Sequence, residues 1–167
     1  MNTQSFFKDL VIVELASVLA GPSVGMFFAE LGAKVHKIEN SKTGGDVTRK
    51  WRTSGESEMP SAYYASINYA KDVHLLDLTE QHDYEKLKVL IENADIVISN
   101  FQSSVSKKLK VQFSDIRSIK NDIILLELDG FSESPRPAFD VVLQAETGWI
   151  SMTGNGDLPA KLPVALI

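Results

Sequence analysis

Short apolar runs alternate with amphipathic stretches along the chain. The apolar runs are rich in β-branched residues and predict strands over residues 10–15, 33–38, 73–78, 95–99 and 122–128. Several of these runs lack the strict apolar–polar alternation of a strand with one solvated face. We therefore expect strands that are buried on both faces, as in a parallel sheet covered by helices.

Helical patterns lie between the predicted strands, over residues 22–31, 83–94, 103–109, 114–119 and 139–152. The clearest is 83–94, where an apolar stripe recurs at helical spacing. Its members are Tyr84, Leu87, Leu90, Ile91 and Ala94. Thr79 is the predicted N-cap of this helix.

The alternation of strands and helices predicts an α/β fold: a Rossmann-like, open, mostly parallel sheet with helices on both faces. Residues 41–60 and 131–137 are polar and rich in Gly, Ser or Pro, and are predicted to be loops. Residues 1–156 are the predicted domain. Residues 157–167 look like a linker entering a new strand that stops in mid-pattern, so we expect a truncated chain, the N-terminal part of a larger protein.

Composition narrows the function classes. The 167 residues carry a net charge of −5, which argues against general nucleic-acid binding. The absence of cysteine excludes disulfides, thiolate catalysis and cysteine-ligated metal. No apolar run approaches the roughly 18 residues that span a bilayer. We expect a cytoplasmic protein with no membrane or nucleic-acid partner. His36, His74 and His82 lack ligand spacing, so no metal site is predicted.

The first strand–helix–strand unit permits a dinucleotide-binding hypothesis. Glu39 ends the second predicted strand 18 residues after Gly21, where Rossmann enzymes hold a ribose hydroxyl. The turn itself is GPSVG over residues 21–25, which lacks the middle glycine of GxGxxG. Without that glycine the backbone cannot approach a pyrophosphate closely. The pattern therefore disfavours nicotinamide or flavin binding.

Six segments in order resemble another family. They are VIVEL (11–15) with VLAGP (18–22), LGAKV (31–35) with KIE (37–39), GGDVTR (44–49), Asn68–Lys71 with LDL (76–78), DIVISNF (95–101), and FD (139–140) with QA (144–145) and Gly148. Together these segments resemble the opening of family III CoA-transferases, the CaiB–BaiF family. The resemblance runs from about residue 8 to the end.

This resemblance implies an activity. Family members move coenzyme A (CoA) from an acyl-CoA to a carboxylic acid through an aspartyl covalent intermediate, which divides one difficult step into easier ones. No metal or tightly bound cofactor is implied, and CoA or acyl-CoA is a substrate. Family members form interlocked homodimers. The resemblance implies CoA contacts from eight residues: Ser17, Val18, Ala20, Leu76, Asn100, Phe101, Val105 and Lys108.

Several departures and alternatives bear on this resemblance. Asp72-Val73 stands where the family has Arg-Ser, and Gln102 replaces the usual Arg after Phe101. The related α-methylacyl-CoA racemases carry a histidine base immediately before Asp140, and Phe139 cannot transfer a proton. Transferase is therefore favoured over racemase. A non-catalytic CoA- or nucleotide-binding module, or a subunit needing a separate partner, is the remaining alternative.

The resemblance places the catalytic aspartate directly after PVALI (163–167), so no catalytic residue is expected within this chain. We predict that the next residue of the parent protein is aspartate. Sequencing the parent reading frame checks this, and any other residue at that position counts against the alignment.

Overall fold

A computed structural model describes residues 6–55, 60–131, 134, 136, 138–155 and 157–162 of the chain. Its contacts group the chain into two units, Met1–Leu128 and Asp129–Ile167. The domain boundary expected at residue 156 stays a prediction. Within the described ranges, no helix has the length and apolar character required to cross a bilayer.

Five parallel strands form the sheet of the first unit. They are β1 (Val11–Leu15), β2 (Lys34–Asn40), β3 (Asp72–Leu76), β4 (Ile96–Ser99) and β5 (Ile124–Glu127), in the order β3-β2-β1-β4-β5. All four neighbouring pairs are parallel. The five strands predicted between residues 10 and 128 are all present, with ends within two residues of the expected ones. The predicted α/β class with an open parallel sheet is thus confirmed.

The strand order creates a switch point beside β1. The chain runs from β1 outward to β2 and β3, and then returns to the other side of β1 to form β4 and β5. The loops that follow β1 and β4 therefore leave the sheet in opposite directions. Open α/β sheets bind ligands in the crevice that such diverging loops form at the carboxyl ends of the strands.

Helices cover both faces of the sheet. They are α1 (Ala20–Glu30), α2 (Ala62–Asn68), α3 (Gln81–Glu92), α4 (Ser103–Leu109) and α5 (Phe113–Ile119). Ile12 of β1 packs with Ala29 of α1 on one face, in a cluster of buried residues. Val13, its neighbour in sequence, packs with Leu87 and Ile116 of α3 and α5 on the other. This alternation explains why β1 is apolar at consecutive positions.

The structure differs from the sequence prediction at the N-cap of α3 and in the presence of α2. Thr79 is not the N-cap of α3, because the helix begins at Gln81 and its N-cap is Glu80. The Thr79 hydroxyl instead donates to Asp77 Oδ1 at 2.6 Å. Helix α2 was not predicted at all. Its N-cap is Ser61, whose Oγ accepts the Tyr64 N–H at 3.0 Å.

The helix predicted over 139–152 is broken in two. The second unit contains α6 (Asp140–Glu146) and α7 (Trp149–Met152). Gly148 between them has φ 86°, a left-handed conformation that ends a helix and that glycine adopts without strain. Phe139 is the N-cap of α6, so Asp140 lies in the first turn, as expected.

A short hairpin follows α7, in which β6 (Gly154–Asn155) pairs antiparallel with β7 (Leu158–Pro159). The first residues of the predicted linker therefore contain a strand. The strand predicted at the end of the chain, including residues 163–167, lies outside the described residues. The loop predicted over 41–60 contains two 3₁₀ turns, Ser41–Thr43 and Val47–Lys50.

The two glycines of the first helix are sites of close packing. A Cβ added at Gly21 would lie 2.3 Å from the Ala16 Cβ. One added at Gly25 would lie 1.9 Å from Glu14 Oε2, a carboxylate that is fully buried. The GxxxG spacing thus brings α1 against the end of β1.

We predict that Gly25→Ala lowers the free energy of unfolding by about 3 kcal/mol, because the methyl group overpacks a buried carboxylate that cannot move aside cheaply. Gly55→Ala is the matched control, since a Cβ at Gly55 meets nothing within 4 Å. It should change the free energy of unfolding by less than about 0.5 kcal/mol. Urea denaturation measures both values, and equal effects of the two substitutions would contradict the prediction.

Candidate functional site

The loops after β1 and β4 are joined at the switch point by one side chain. Asn100 follows β4, and its Oδ1 accepts the Ser17 N–H at 3.1 Å. The Asn100 Nδ2 group donates to the Ser17 carbonyl at 2.8 Å. An amide side chain thereby pairs with the backbone N–H and C=O of Ser17 much as a neighbouring strand would.

The next residue of this loop, Val18, has φ 70°. The left-handed region costs an L-residue about 1–2 kcal/mol, and a β-branched side chain makes it less favourable still. The Val18 N–H donates to Asp46 Oδ2 at 3.1 Å. The first loop is therefore held by two side chains that lie far from it in sequence.

Two adjoining cavities open beside this loop. The first, of about 430 Å³, is lined by Ala16 and Ser17 together with residues of the segment from Thr43 to Lys50. The second, of about 390 Å³, lies towards the end of β3 and α4. The two cavities share four lining residues: Ile38, Glu39, Asn40 and Phe101.

The residues proposed from the sequence lie in this region. Ser17 lines the first cavity, Phe101 lines both, and three others line the second: Leu76, Val105 and Lys108. Val18, Ala20 and Asn100 are not among the lining residues of either cavity. Asn100 and Val18 instead fix the loop, and Ala20 is the first residue of α1. The contact of all eight residues with CoA stays a prediction.

Sequence reasoning missed two cations at the cavities. Lys50 lines the first cavity, and Lys42 lines the second together with Lys108. Lys42 Nζ lies 2.6 Å from Asp77 Oδ2. The hydrogen bond from Lys42, with others from Thr79, lowers the pKa of Asp77 to about 2.

Lys108 differs from Lys42 in its surroundings. It forms no ion pair with any carboxylate in the described part of the chain. Its charge at the cavity is therefore not offset by an adjacent carboxylate of those residues, and it can attract an anion.

A buried ionic network lies beneath the first loop. Lys37 Nζ is 2.9 Å from Glu14 Oε1, 2.9 Å from the Ala16 carbonyl oxygen and 3.3 Å from Asp46 Oδ2. Lys71 Nζ is 2.8 Å from Glu14 Oε2. The side chains of Lys37, Glu14 and Lys71 have no exposed surface.

Charges in such a place are tolerated only when they are paired and hydrogen-bonded. Burial lowers the pKa of Lys71, and the Glu14 carboxylate opposes that shift. Burial by itself would raise the pKa of Asp46, but hydrogen bonds from Thr48 and the charge of Lys37 hold it below its usual value.

Glu39 is the centre of a second group of polar side chains. Its Oε2 accepts the Asp46 N–H at 2.9 Å and Arg49 Nε at 2.7 Å, while Oε1 accepts the Tyr64 hydroxyl at 2.5 Å. Although burial would raise the pKa of Glu39, the hydrogen bonds from Arg49 and Tyr64 lower it. Both oxygens are thus occupied by this chain's own donors, which counts against Glu39 as a ribose-binding residue.

Within the described ranges, no group of three or more His, Asp or Glu side chains could hold a metal ion. His36 Nδ1 and His74 Nε2 are 3.0 Å apart on neighbouring strands. Burial and the neighbouring His74 lower the pKa of His36.

Comparison with known proteins identifies relatives that match most of the chain. The sequence model for CoA-transferase family III matches residues 7–167. The chain is 34% identical to the succinyl-CoA:mesaconate CoA-transferase of Haloarcula hispanica, in a 163-residue alignment that covers 90% of this chain and 40% of that protein. It is 32% identical to the succinate–glutarate CoA-transferase of Agrobacterium fabrum over 99% of this chain and 44% of that protein.

The fold has a solved relative as well. A CaiB/BaiF family protein from Brucella suis superimposes with a TM-score of 0.87 at 31% identity, covering 97% of this chain and 44% of that one. The chain thus spans less than half the length of these relatives.

We predict that acid weakens the fold through Glu39. Its folded-state pKa lies below the unfolded value, so its contribution to stability is complete above about pH 4.3 and is lost as the pH falls further. Glu39→Gln should lower the free energy of unfolding at pH 7 and make its decline between pH 5 and pH 2 shallower. Denaturant titrations across this range measure both, and parallel pH profiles for the two proteins would contradict the prediction.

Proposed function

The chain belongs to CoA-transferase family III, and on that basis we propose that it holds the CoA-binding part of an enzyme that moves CoA from an acyl-CoA to a carboxylic acid. The observation that carries this proposal is the pair of adjoining cavities at the switch point of the sheet, with Phe101 lining both. CoA is an elongated ligand with an anionic end and a thin neutral arm. Two adjoining cavities with different charged lining residues suit such a shape.

The second cavity takes the nucleotide end in this proposal. Lys108 and Lys42 supply positive charge for the phosphates, and Leu76, Val105 and Phe101 supply apolar surface for the adenine ring. Lys108 contributes most of the attraction, since the charge of Lys42 is partly neutralised by Asp77. The phosphates are therefore recognised by side-chain cations.

The first cavity takes the neutral arm and directs the thioester along the loop after β1. Ala16 and Ser17 line it; Asn100 fixes the main chain of Ser17, and Lys37 donates to the Ala16 carbonyl. A fixed peptide wall holds a flexible ligand arm at a lower entropic cost than a mobile loop does.

The reaction proceeds in this proposal through an aspartate that follows Ile167. Its carboxylate oxygen attacks the thioester carbonyl carbon, the C–S bond breaks, and CoA leaves as the thiolate with the bonding electron pair, giving a mixed anhydride. The thiolate then attacks the aspartyl carbonyl, which releases the first acid and leaves an aspartyl-CoA thioester for transfer to the acceptor acid. The stretch before this aspartate, residues 163–167, lies outside the described residues.

Residues 1–167 produced alone are expected to bind CoA without transferring it, as a CoA-binding module does. The carboxylates near the cavities support this expectation: Glu39, Asp46 and Asp77 all accept hydrogen bonds from the chain's own donors. None of these three carboxylates is therefore free of hydrogen bonds and available to attack a thioester. The relatives named above act on succinate, mesaconate and glutarate by their names, so dicarboxylic acids are the first acceptors to assay with the full-length enzyme.

We further propose that the full-length enzyme is a cytoplasmic homodimer. The composition fits a reducing compartment, since the chain has no cysteine. Ile124 and Leu126 of the edge strand β5 are 59% and 38% exposed in this chain. Exposed apolar positions on an edge strand favour coverage by further protein.

We predict that the chain binds CoA more tightly than NAD, and that Lys108→Ala weakens CoA binding roughly three- to tenfold, the usual effect of losing one charged contact to a phosphate. Lys107→Ala is the matched control. Lys107 is an exposed neighbour on the same helix, but it does not line the second cavity. Isothermal titration calorimetry at low salt measures these affinities.

Each result has a clear meaning. Equal losses from the two lysine substitutions would reject the placement of the phosphates beside Lys108. Absence of CoA binding by the unsubstituted chain, or tighter binding of NAD, would contradict the proposed function itself.

A further inference from the structure

The turn that leaves β1 has a conformation that its own sequence does not favour. Val18 is β-branched, yet its φ is 70°. Turns that need positive φ normally use glycine, asparagine or aspartate there. A valine in this place requires interactions from elsewhere in the chain to hold it.

Asp46 supplies the interaction at Val18. Its Oδ2 accepts the Val18 N–H at 3.1 Å, and its Oδ1 accepts both the N–H and the hydroxyl of Thr48, at 3.0 and 2.8 Å. Lys37 Nζ lies 3.3 Å from Oδ2. Asp46 is only 5% exposed. Three groups outside the turn thus fix the position of this carboxylate, and the carboxylate in turn fixes Val18.

The main chain of Asp46 is held just as firmly. Its N–H donates to Glu39 Oε2 at 2.9 Å, so the segment containing Asp46 is attached to the buried strand β2. Through Asp46, β2 therefore fixes the position of the Val18 turn relative to the sheet. The residues next to Val18 in sequence do not supply this link.

The geometry points to a defined role for this carboxylate. We propose that Asp46 is a positioning residue, which holds Val18 in the left-handed conformation and so keeps Ala16 and Ser17 in place as the wall of the first cavity. The role rests on the proposed function, because it takes the arm of CoA as the ligand of that cavity. Asp46 itself lines this cavity. Because both of its oxygens are occupied, we assign it a role through Val18 and not as a nucleophile.

The decisive substitution is Asp46→Asn. An amide keeps the shape of the carboxylate but replaces one accepting oxygen by an NH₂ group. In one orientation the NH₂ group faces the Val18 N–H and Lys37. In the other it faces the N–H of Thr48, so in either orientation a donor meets a donor. We expect CoA affinity to fall roughly tenfold, which corresponds to the loss of one buried hydrogen bond and release of the turn.

The dependence on Val18 separates positioning from general destabilisation. In a Val18→Gly background, glycine adopts positive φ without help, so adding Asp46→Asn should weaken CoA binding less than about threefold. In a Val18→Ala background the same addition should retain most of its effect, because alanine keeps the strain while losing the methyl groups. Isothermal titration calorimetry with CoA and the full chain measures the affinities.

Asp95→Asn is the matched control. Asp95 Oδ2 accepts the Val11 N–H at 2.9 Å, an aspartate-to-backbone hydrogen bond at the other end of β1. This control should lower stability while leaving CoA affinity within about twofold of the unsubstituted chain, since the contact lies away from both cavities. If Asp46→Asn does not fold, Asp46→Ser replaces it, because a serine hydroxyl can cap the Thr48 N–H without reaching Val18.

A measurement without ligand completes the test. Amide hydrogen exchange at Val18 should become at least about tenfold faster in Asp46→Asn, and not in Asp95→Asn. Unchanged protection at Val18 overturns the proposal, and so does an equal affinity loss in the Val18→Gly and Val18→Ala backgrounds. If the unsubstituted chain does not bind CoA, the proposed function fails, and the exchange data still decide whether Asp46 holds the turn.

Discussion

The buried ionic network between β1 and β2 is the interaction on which the rest of this structure depends. Glu14 lies between Lys37 and Lys71, and Lys37 also reaches Asp46. Removing one member of a buried network costs about 3–5 kcal/mol, because its partner is left charged and desolvated. The strands, the first helix and the segment before α2 are thus constrained to positions in which every charge keeps its partner.

Several features of the site follow from this constraint. Gly25 is small because α1 must approach the Glu14 carboxylate. The Ala16 carbonyl accepts from Lys37, which directs the chain out of β1 towards the cavity. The same carboxylate of Asp46 that faces Lys37 accepts the Val18 N–H. Charge pairing in the core and the shape of the candidate ligand site are therefore parts of one arrangement.

Hydrophobic pattern predicted the strands and most helices because each of these elements buries its own apolar residues. Helix α3 shows this most clearly, with Leu87 and Ile91 fully buried on the predicted stripe. Helix α2 was missed because its short segment mixes Tyr, Ala, Ser and Asn, and it is anchored by the Ser61 cap and by the bond from Tyr64 to Glu39. The bond from Tyr64 to Glu39 joins residues 25 apart in sequence, which no local pattern reports.

Local sequence pattern also could not show whether Glu39 contacts a ribose. An acidic residue at the end of the second strand is equally compatible with a ribose contact and with an internal ion pair, and only the position of Arg49 and Tyr64 separates the two. The sequence did not indicate the left-handed conformation of Val18, because valine is among the residues least expected at positive φ. Five residues that line the cavities were predicted from motifs, whereas Lys42, Lys50 and the contact of Asp46 with the Val18 N–H emerged only from the fold.

The packing of the two glycines of α1 indicates which class of ligand the site favours. In a dinucleotide-binding turn, glycine lets the backbone approach a pyrophosphate at the helix N-terminus. Here Gly21 packs on Ala16 and Gly25 on Glu14, so both are used for contact between helix and strand. Pro22 in the first turn has no N–H to offer an anion. Side chains are then better placed than this helix terminus to meet phosphates, and Lys108 lines the second cavity. A ligand whose phosphates lie away from the first helix, with a neutral arm beside it, fits this arrangement better than one centred on the helix terminus.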